Sequence, residues 1–503
     1  MNAPRLALIS LQNTTIDFGV RYVAAAAVQA GISVEILWLC REPSQRLSQR
    51  ETDVLIEWID GQSCGLVGMG LMSIHFSLAV DVTRAIQDRL SIPVIWGGIH
   101  PILAPEPCLD HADYVCAGDG EEAVPALMRA LSAGQTQPDI PNIWYRRDDG
   151  IHMSRRELVD DLNAWPPPHY DLTHQAILEG DHIVTGSETL FRTKMPWSHG
   201  RHYVISSRGC PHQCTYCCNS ALQTLFGKAH AIRIRTVANL MKEITDIIDH
   251  FPFSHAFAIM DDSFFFKPPG WIEAFCDAFA SVNAGFGVLI HPRSVSRERM
   301  QMLVNAGLIG VQMGLQSGSD TTSRTIYHRH EPVSDFIRAA GVLDEFMDRL
   351  LVRTYDVIVD NPFETDADRA ETVHVLSRLN KPFHLDLFSL TLYPGTALYD
   401  RARDLTGNTG MMRAEDKNYL DIQPTMLNRL TWLTHTTPGT LIRFFLKHRH
   451  ACWCVALFHL FDFGWERGGR VCLRWMKRTG LRLMFRMGSR RDNRNVIMRG
   501  EPR

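Results

Sequence analysis

No uncharged apolar run in this chain approaches the roughly 20 residues that cross a bilayer. The longest candidate, Ala451 to Phe461, is too short. The opening residues Met1-Asn2-Ala3-Pro4-Arg5 lack the character of a secretory signal and lead straight into a strand-like run. Twelve cysteines are scattered over 503 residues with no disulfide framework, so a reducing cytoplasm is expected. No Gly-x-Gly-x-x-Gly opens the first helix, which leaves a dinucleotide site with little support. A hydrophobic fraction of 45% and a charged fraction of 21% are those of an ordinary globular protein, and nucleic acid is not an expected partner. The formal net charge of −3 hides an asymmetry. From Leu441 to Arg503 there are fifteen Lys/Arg against four Asp/Glu, a net of +11. That basic, aromatic-rich tail could lie on an anionic membrane surface, hold an anionic substrate, or pack on the acidic remainder.

What is present is concentrated in Gly209-Cys210-Pro211-His212-Gln213-Cys214-Thr215-Tyr216-Cys217. Three thiols stand at i, i+4 and i+7. Thiolates are the soft ligands that iron–sulfur clusters require. A four-iron cluster has four corners and this run serves three, so one iron stays open to a small molecule. A zinc site normally takes four protein ligands in two pairs, and no second CxxC or His pair lies nearby. The spacing resembles the signature of the radical S-adenosylmethionine (SAM) superfamily. The resemblance makes Cys210, Cys214 and Cys217 the [4Fe-4S] ligands and the residues on which catalysis depends. It places Tyr216 against the adenine of SAM, which chelates the open iron. Cys218 could replace Cys217 only in a register that misplaces the aromatic residue.

The first third alternates short apolar strands with helices. Strands read at Leu6–Leu11, Ser33–Trp38, Cys64–Leu71, Pro93–Trp96 and Asp113–Ala117, with helices near 18–30 and 78–90. This pattern argues for a doubly wound parallel sheet, Rossmann-like in outline. Ligands bind beyond the carboxyl ends of such strands, where Gly68, Gly70, Gly97, Gly98, Gly118 and Gly120 gather. The blocks Trp96-Gly97-Gly98-Ile99-His100-Pro101 and Gly118-Asp119-Gly120-Glu121-Glu122 resemble the cobalamin-binding domain that precedes many radical SAM domains. In that family the cobalamin tail runs among these loops and the corrin faces the cluster. The resemblance makes Gly97, Gly98, Gly118 and Gly120 cofactor-binding. The Asp-x-His-x-x-Gly motif of wider cobalamin proteins is absent. Gln12-Asn13-Thr14-Thr15-Ile16-Asp17-Phe18-Gly19 stands after the first strand, which implies cobalt without a protein His below it. His75 and His100 read as loop or packing residues.

The expected organisation is a cobalamin-binding-like domain over residues 1–135, a Pro-punctuated linker of little regular structure over 136–200, a radical SAM domain over 201–405, and a mainly helical C-terminal region over 406–503. Six strand–helix repeats, with strands from Tyr203, Ala256, Gly287, Gly310, Leu351 and His384, suit the partial (β/α)6 barrel of radical SAM enzymes. The resemblance lends roles to loop ends. Asp261 and Asp262 would meet the SAM amino group, and Arg293 the SAM carboxylate. Gly314-Leu315-Gln316-Ser317-Gly318-Ser319 resembles a Gly-x-Glu-Ser-Gly-Ser motif near SAM, with Gln316 replacing the acid. The loop from Asp360 to Thr365 would lie near adenine, with Asp360 where Gly is common. Cys452 and Cys454 form a Cys-x-Cys without evident partners.

The resemblance implies a [4Fe-4S] cluster, SAM and cobalamin, fed by an external electron donor such as flavodoxin or ferredoxin. The expected reaction is methyl transfer to an unactivated carbon of a small molecule or natural-product intermediate by way of a 5′-deoxyadenosyl radical. An oxidative cyclase or ring-rearranging enzyme with the same cofactors is one alternative. A cobalamin or redox sensor without turnover is another. The basic C-terminal region is the expected place of any peripheral membrane contact.

Overall fold

The computed structural model describes residues 4–168, 170–195, 200–227, 232–406, 419–452, 454–455 and 457–458. Nine strands build the first sheet: β1 (Arg5–Ser10), β2 (Ser33–Trp38), β3 (Leu66–Gly70), β4 (Val94–Gly97), β5 (Tyr114–Cys116), β6 (Ile143–Arg147), β7 (Gly150–Met153), β8 (Gln175–Glu179) and β9 (His182–Thr185). Their order is β7-β6-β5-β4-β3-β1-β2-β8-β9. The five central strands are parallel. The chain leaves β1 first toward β2 and then crosses to β3, so the topological switch point lies between β1 and β3. Helices Phe18–Gln29 and Gly120–Ser132 cover one face, and Gln49–Gln62 and Phe76–Arg89 the other. Asp17 caps the first of these by accepting from the Val20 N–H at 3.1 Å.

The expected linker differs from its reading. It contributes two hairpins that extend both edges of this sheet. The β6–β7 hairpin runs antiparallel to β5, and β8 runs parallel to β2 before turning into β9. The outer strands bury few side chains, so their apolar signal is weak and the flanking prolines dominate the sequence pattern.

The second sheet holds β10 (Arg201–Val204), β13 (Ala256–Ile259), β14 (Gly285–Ile290), β15 (Leu308–Gln316), β16 (Val352–Val359) and β17 (His384–Ser389) in sequential parallel order. Two short strands, β11 (Ser207–Arg208) and β12 (Arg233–Ile234), pair antiparallel beside it. This is the expected open half-barrel. Alternation along β14, β15 and β16 buries one set of side chains under the helices and leaves the other half-exposed toward the inner face. One apolar core runs continuously from helix Phe18–Gln29 of the first unit into the barrel. Two C-terminal helices, Met426–Leu433 and Gly439–Lys447, pack on helix Asp366–Leu376 through Leu430, Leu433, Ile442 and Val373. Most of the basic tail, including Arg474, Lys477 and Arg478, lies outside the described residues, as does residue 453 between Cys452 and Cys454. Cys454 is buried in that helical core and Cys452 is exposed. Among the described residues no helix is long and apolar enough to cross a membrane.

Candidate functional site

Strand β10 ends at Val204, and Ile205-Ser206 leads into β11, whose last residue, Arg208, stands two before Cys210. The carboxylate of Asp261, at the tip of β13, fixes this end. It accepts from the Ser206 and Ser207 N–H groups at 2.6 and 3.0 Å and pairs with the Lys267 ammonium at 2.6 Å. Both Asp261 and Lys267 are fully buried. The cysteine run then folds into a tight loop. The Cys217 N–H donates to the Cys214 carbonyl at 3.0 Å, and Thr215 N–H to the Tyr327 carbonyl at 3.1 Å. The side chain of Gln223, on helix Cys218–Phe226, donates back to the carbonyls of Cys210 and His212.

All three cysteines are half-buried and free of disulfides. Burial pushes the Cys210 thiol up to about 12, with Asp262, Cys217 and Cys214 adding to the rise. Burial also raises Cys214. Cys217 caps helix Cys218–Phe226. A hydrogen bond from the Cys218 thiol, aided by the Asn219 N–H, brings the Cys217 thiol below the usual range although burial opposes it. Cys218 itself is raised, first by that bond and then by burial. Three mutually sensing thiols at one strand end are a donor set of the right chemistry for an iron–sulfur cluster, which would displace their protons on binding. Among the described residues no three His, Cys, Asp or Glu side chains gather tightly enough for a single metal ion. Ligands of separate cube corners stand further apart than ligands of one ion.

The residues assigned to SAM divide. Asp261 is consumed by strand β10 and Lys267, so its expected contact with an ammonium is corrected. Its partners leave the carboxylate no open side. Asp262 fits that role better. It keeps accessible surface while bonding the Gly209 N–H and Asn219, and burial raises its carboxyl. Arg293 is also corrected. Its guanidinium is exposed and bonds Asp335 and the His330 carbonyl, both at 3.1 Å, which is a surface salt bridge. Ser317 donates to Glu364 at 2.7 Å within the protein. Gln316 sits in the left-handed region at φ 65°, a strained conformation for such a side chain and one that clusters at functional sites. Asp360 has φ 57°, which explains why Gly is common there. Its carboxylate accepts from Ser389 at 2.6 Å, the Gln423 N–H at 3.0 Å and Asn428 at 2.6 Å, tying the C-terminal helices to the barrel. Tyr216 packs edge-on to Tyr327, with centroids 5.0 Å apart.

Sequence reasoning missed a chain of polar groups around the cysteine loop. His212 stacks on His291 at 4.1 Å. His291 meets Glu331 at 3.0 Å, Glu331 pairs with Arg329 at 2.6 Å, and Arg329 reaches the Tyr216 hydroxyl at 3.3 Å and the Gly314 carbonyl at 3.2 Å. Although burial opposes it, His291 and Arg329 together hold the Glu331 carboxyl down to about 2. The consecutive Arg329-His330-Glu331 was the available signal. Arg329, rather than Arg293, is the buried cation beside the loop.

A cavity of about 900 Å³ opens between the two sheets. It is lined by the carboxyl ends of β1, β3 and β4 and by Gly97, Gly98, Gly118 and Gly120, facing Tyr203, Ile205, Arg208 and Met260 of the barrel, with Tyr419 at its side. The glycines have separate reasons. A Cβ on Gly118 would stand 2.2 Å from Asn142 Oδ1, so internal packing demands glycine there. A Cβ on Gly97 would meet nothing nearer than 3.6 Å, which leaves that backbone bare toward the cavity. Gln12, Asn13, Thr14 and Asp17 line the floor. His75 and His100 are 1% exposed, packed inside the domain, and burial holds both down to about 4.

Comparison with known proteins gives both halves a family. The B12 binding domain family matches residues 4–128, and the radical SAM superfamily matches residues 204–376. An uncharacterised methyltransferase of Pyrococcus horikoshii is 26% identical over 354 residues, 66% of this chain and 67% of that protein. The anaerobic magnesium-protoporphyrin IX monomethyl ester cyclase of Synechocystis is 29% identical over 157 residues, 29% of this chain and 27% of the cyclase. Among solved structures, the radical SAM methyltransferase TsrM of Kitasatospora setae superposes with a TM-score of 0.64 at 16% identity, covering 82% of this chain and 78% of TsrM. That enzyme has been solved with cobalamin and a [4Fe-4S] cluster bound. The cobalamin-dependent SAM radical enzyme OxsB, solved with aqua-cobalamin and SAM, superposes with a TM-score of 0.59 at 16% identity, over 81% of this chain and 56% of OxsB.

Proposed function

We propose that this chain, a radical SAM protein carrying a B12-binding domain, is a cobalamin-dependent radical SAM methyltransferase that acts on an unactivated carbon of a small molecule. The observation that carries the reading is the glycine-edged cavity at the switch point of the first sheet, which opens directly onto the strand that delivers Cys210, Cys214 and Cys217.

When bound, the cluster, SAM and cobalamin supply a radical initiator and a transferable methyl group. The chain's own residues bind and orient. Cys210, Cys214 and Cys217 would hold three irons. Asp262 would accept hydrogen bonds from the SAM ammonium, and Arg329 presents a buried cation beside the adenine-side residue Tyr216. Bare backbone at Gly97 lets a bulky planar group approach the strand ends. The surrounding apolar core, continuous through both units, keeps water from reactive species. An external flavodoxin- or ferredoxin-type donor in a reducing cytoplasm would supply electrons.

The test is anaerobic reconstitution followed by iron, cobalt and SAM-cleavage assays. Methyl transfer adds one methylene unit to the product mass. The local likeness to the cyclase supports a second reading, oxidative ring closure, in which the product loses hydrogens instead. A sensor would leave SAM intact under reducing conditions.

A further inference from the structure

The two-strand ribbon that precedes the cysteine loop carries an arginine on each strand. Arg208 and Arg233 are directly opposed in the antiparallel pair. Like charges in that position repel, and neither strand has more than two residues to hold the ribbon together. The neutralising groups come from the other end of the fold. Arg208 pairs with Glu121 and stands 3.5 Å from Asp119, while Arg233 pairs with Asp119 and donates to the Val159 carbonyl at 2.7 Å. Arg208 also lies over the Tyr22 ring at 5.1 Å. Glu121 is 3% exposed and Arg233 is buried, so these are not dispensable surface pairs.

The position of this ion cluster is what matters. Asp119 caps helix Gly120–Ser132 and Glu121 lies in its first turn; both edge the cavity, and Arg208 lines the same cavity from the barrel side. One residue separates Arg208 from Cys210. Asp119 also accepts from the Val159 N–H at 2.8 Å, so this end of the helix is itself held from behind. A displacement of this helix N-terminus therefore reaches the first cysteine through a guanidinium and a single glycine.

The geometry points to Arg208 as a positioning residue that couples occupancy of the B12-side cleft to the cluster loop, through Asp119 and Glu121. The inference rests on the cofactor assignment proposed above. By linkage, a cluster that orders the Cys210 loop tightens corrin binding by the same factor by which the corrin favours the assembled cluster.

The experiment is a binding cycle that requires no substrate. Hydroxocobalamin affinity is measured by equilibrium gel filtration on full-length chain, with and without anaerobic cluster reconstitution, for wild type, Arg208→Gln and Glu121→Gln. Iron content, cluster absorbance and the circular dichroism melt are recorded for each. Wild type is expected to bind about tenfold more tightly with the cluster than without it, the scale of a modest coupling free energy. The variants should keep their iron, since no ligand is altered, and their ratio should fall to about one. Arg208→Lys, which retains charge but loses the fork between Asp119 and Glu121, should fall between. Should Arg208→Gln fail to fold or to take up iron, Glu121→Gln, remote in sequence from the cysteines, decides. A wild-type ratio of one, or a Glu121→Gln ratio equal to that of wild type, overturns the coupling while leaving the cofactor assignment standing. A wild-type chain that takes up cluster but no hydroxocobalamin overturns the cleft assignment itself, and the coupling with it.

Discussion

Glu243 is the best single place to test how the two units are held together. It lies on helix Val237–His250 of the barrel and is 1% exposed. Its carboxylate accepts from the Tyr170 hydroxyl at 2.8 Å and the Tyr22 hydroxyl at 3.3 Å, and pairs with Arg235. Tyr22 belongs to the first unit and Tyr170 to the segment between the two. Arg235 donates further to Tyr22 and to the Ile205 carbonyl, both at 2.8 Å, so its guanidinium stays in place when Glu243 changes. In Glu243→Gln the amide can still meet the tyrosines, but a buried cation loses its only carboxylate among the partners described. Breaking one side of such a pair costs about 3–5 kcal/mol, whereas an exposed pair such as Arg293–Asp335 contributes under about 1 kcal/mol. Urea denaturation followed by tryptophan fluorescence reads the difference, using the first transition because a chain of this size need not unfold in one step. The expected order is Glu243→Gln far below Asp335→Asn. A Glu243→Gln loss below about 1 kcal/mol refutes the reasoning.

Three further outcomes follow from the same structure. Cys214→Ala should leave a folded chain that retains no iron after reconstitution and does not cleave SAM, which iron analysis and 5′-deoxyadenosine release check. Gly118→Ala should destabilise by about 1–3 kcal/mol, because its methyl meets Asn142 Oδ1 at 2.2 Å and the Glu157 carbonyl at 2.6 Å; Gly97→Ala should keep the wild-type denaturation midpoint yet weaken hydroxocobalamin binding, which separates packing from ligand approach. Burial, partly offset by the Gln312 hydrogen bond, raises the Asp356 carboxyl to about 7. The native state therefore keeps a proton that the unfolded chain releases near pH 4, so this group lowers stability as pH rises from about 4 to about 7 and no further above that. Asp356→Asn should accordingly gain more over wild type in urea at pH 8 than at pH 4; an equal gain at both refutes the assignment.

The sequence exposed those parts of the fold in which the needed information is local. The central strands of the first sheet are buried on both faces and read as apolar runs, and the barrel strands were legible from their alternating buried apolar residues. The hairpins β6–β7 and β8–β9 were not, since their outer strands bury little and their turn residues, Asp148-Asp149-Gly150 and Glu179-Gly180-Asp181, read as linker punctuation. The cysteine run was legible because its ligands lie within eight residues. Asp261 and Asp262 could not be told apart by sequence alone. Adjacent residues at a strand end point to opposite sides, and the structure sends one into the protein and leaves the other open. Arg329, Glu331 and the Arg208–Glu121 pair were invisible for another reason. Their meaning comes from partners such as Tyr216, His291 and Glu121, which are 113, 40 and 87 residues away, and no local pattern marks such a contact.

The placement of the chemistry follows from the geometry of two parallel sheets. Each leaves its free ligand-binding groups at the carboxyl ends of its strands. Here those ends, Gly70 and Gly97 in the first sheet and Ile205 with Met260 just beyond strands β10 and β13 in the second, line the same cavity. Tyr419 lines the same cavity, with its carbonyl accepting from the Ser389 N–H at 2.7 Å and its ring 5.9 Å from that of Phe388. Asp360 anchors the same stretch through Gln423 and Asn428, and it does so from a left-handed backbone that costs energy for any residue but glycine. Replacing Asp360 with glycine would therefore relieve the backbone while freeing that segment. Three bonds to a carboxylate, at about 1.5–3 kcal/mol each, outweigh the backbone relief of about 1–3 kcal/mol, so Asp360→Gly should lower the denaturation midpoint, admit protease after Leu420 and accelerate SAM cleavage unproductive of methylated product. A variant as protease-resistant as wild type would show that the three hydrogen bonds of Asp360 are not what holds this segment in place.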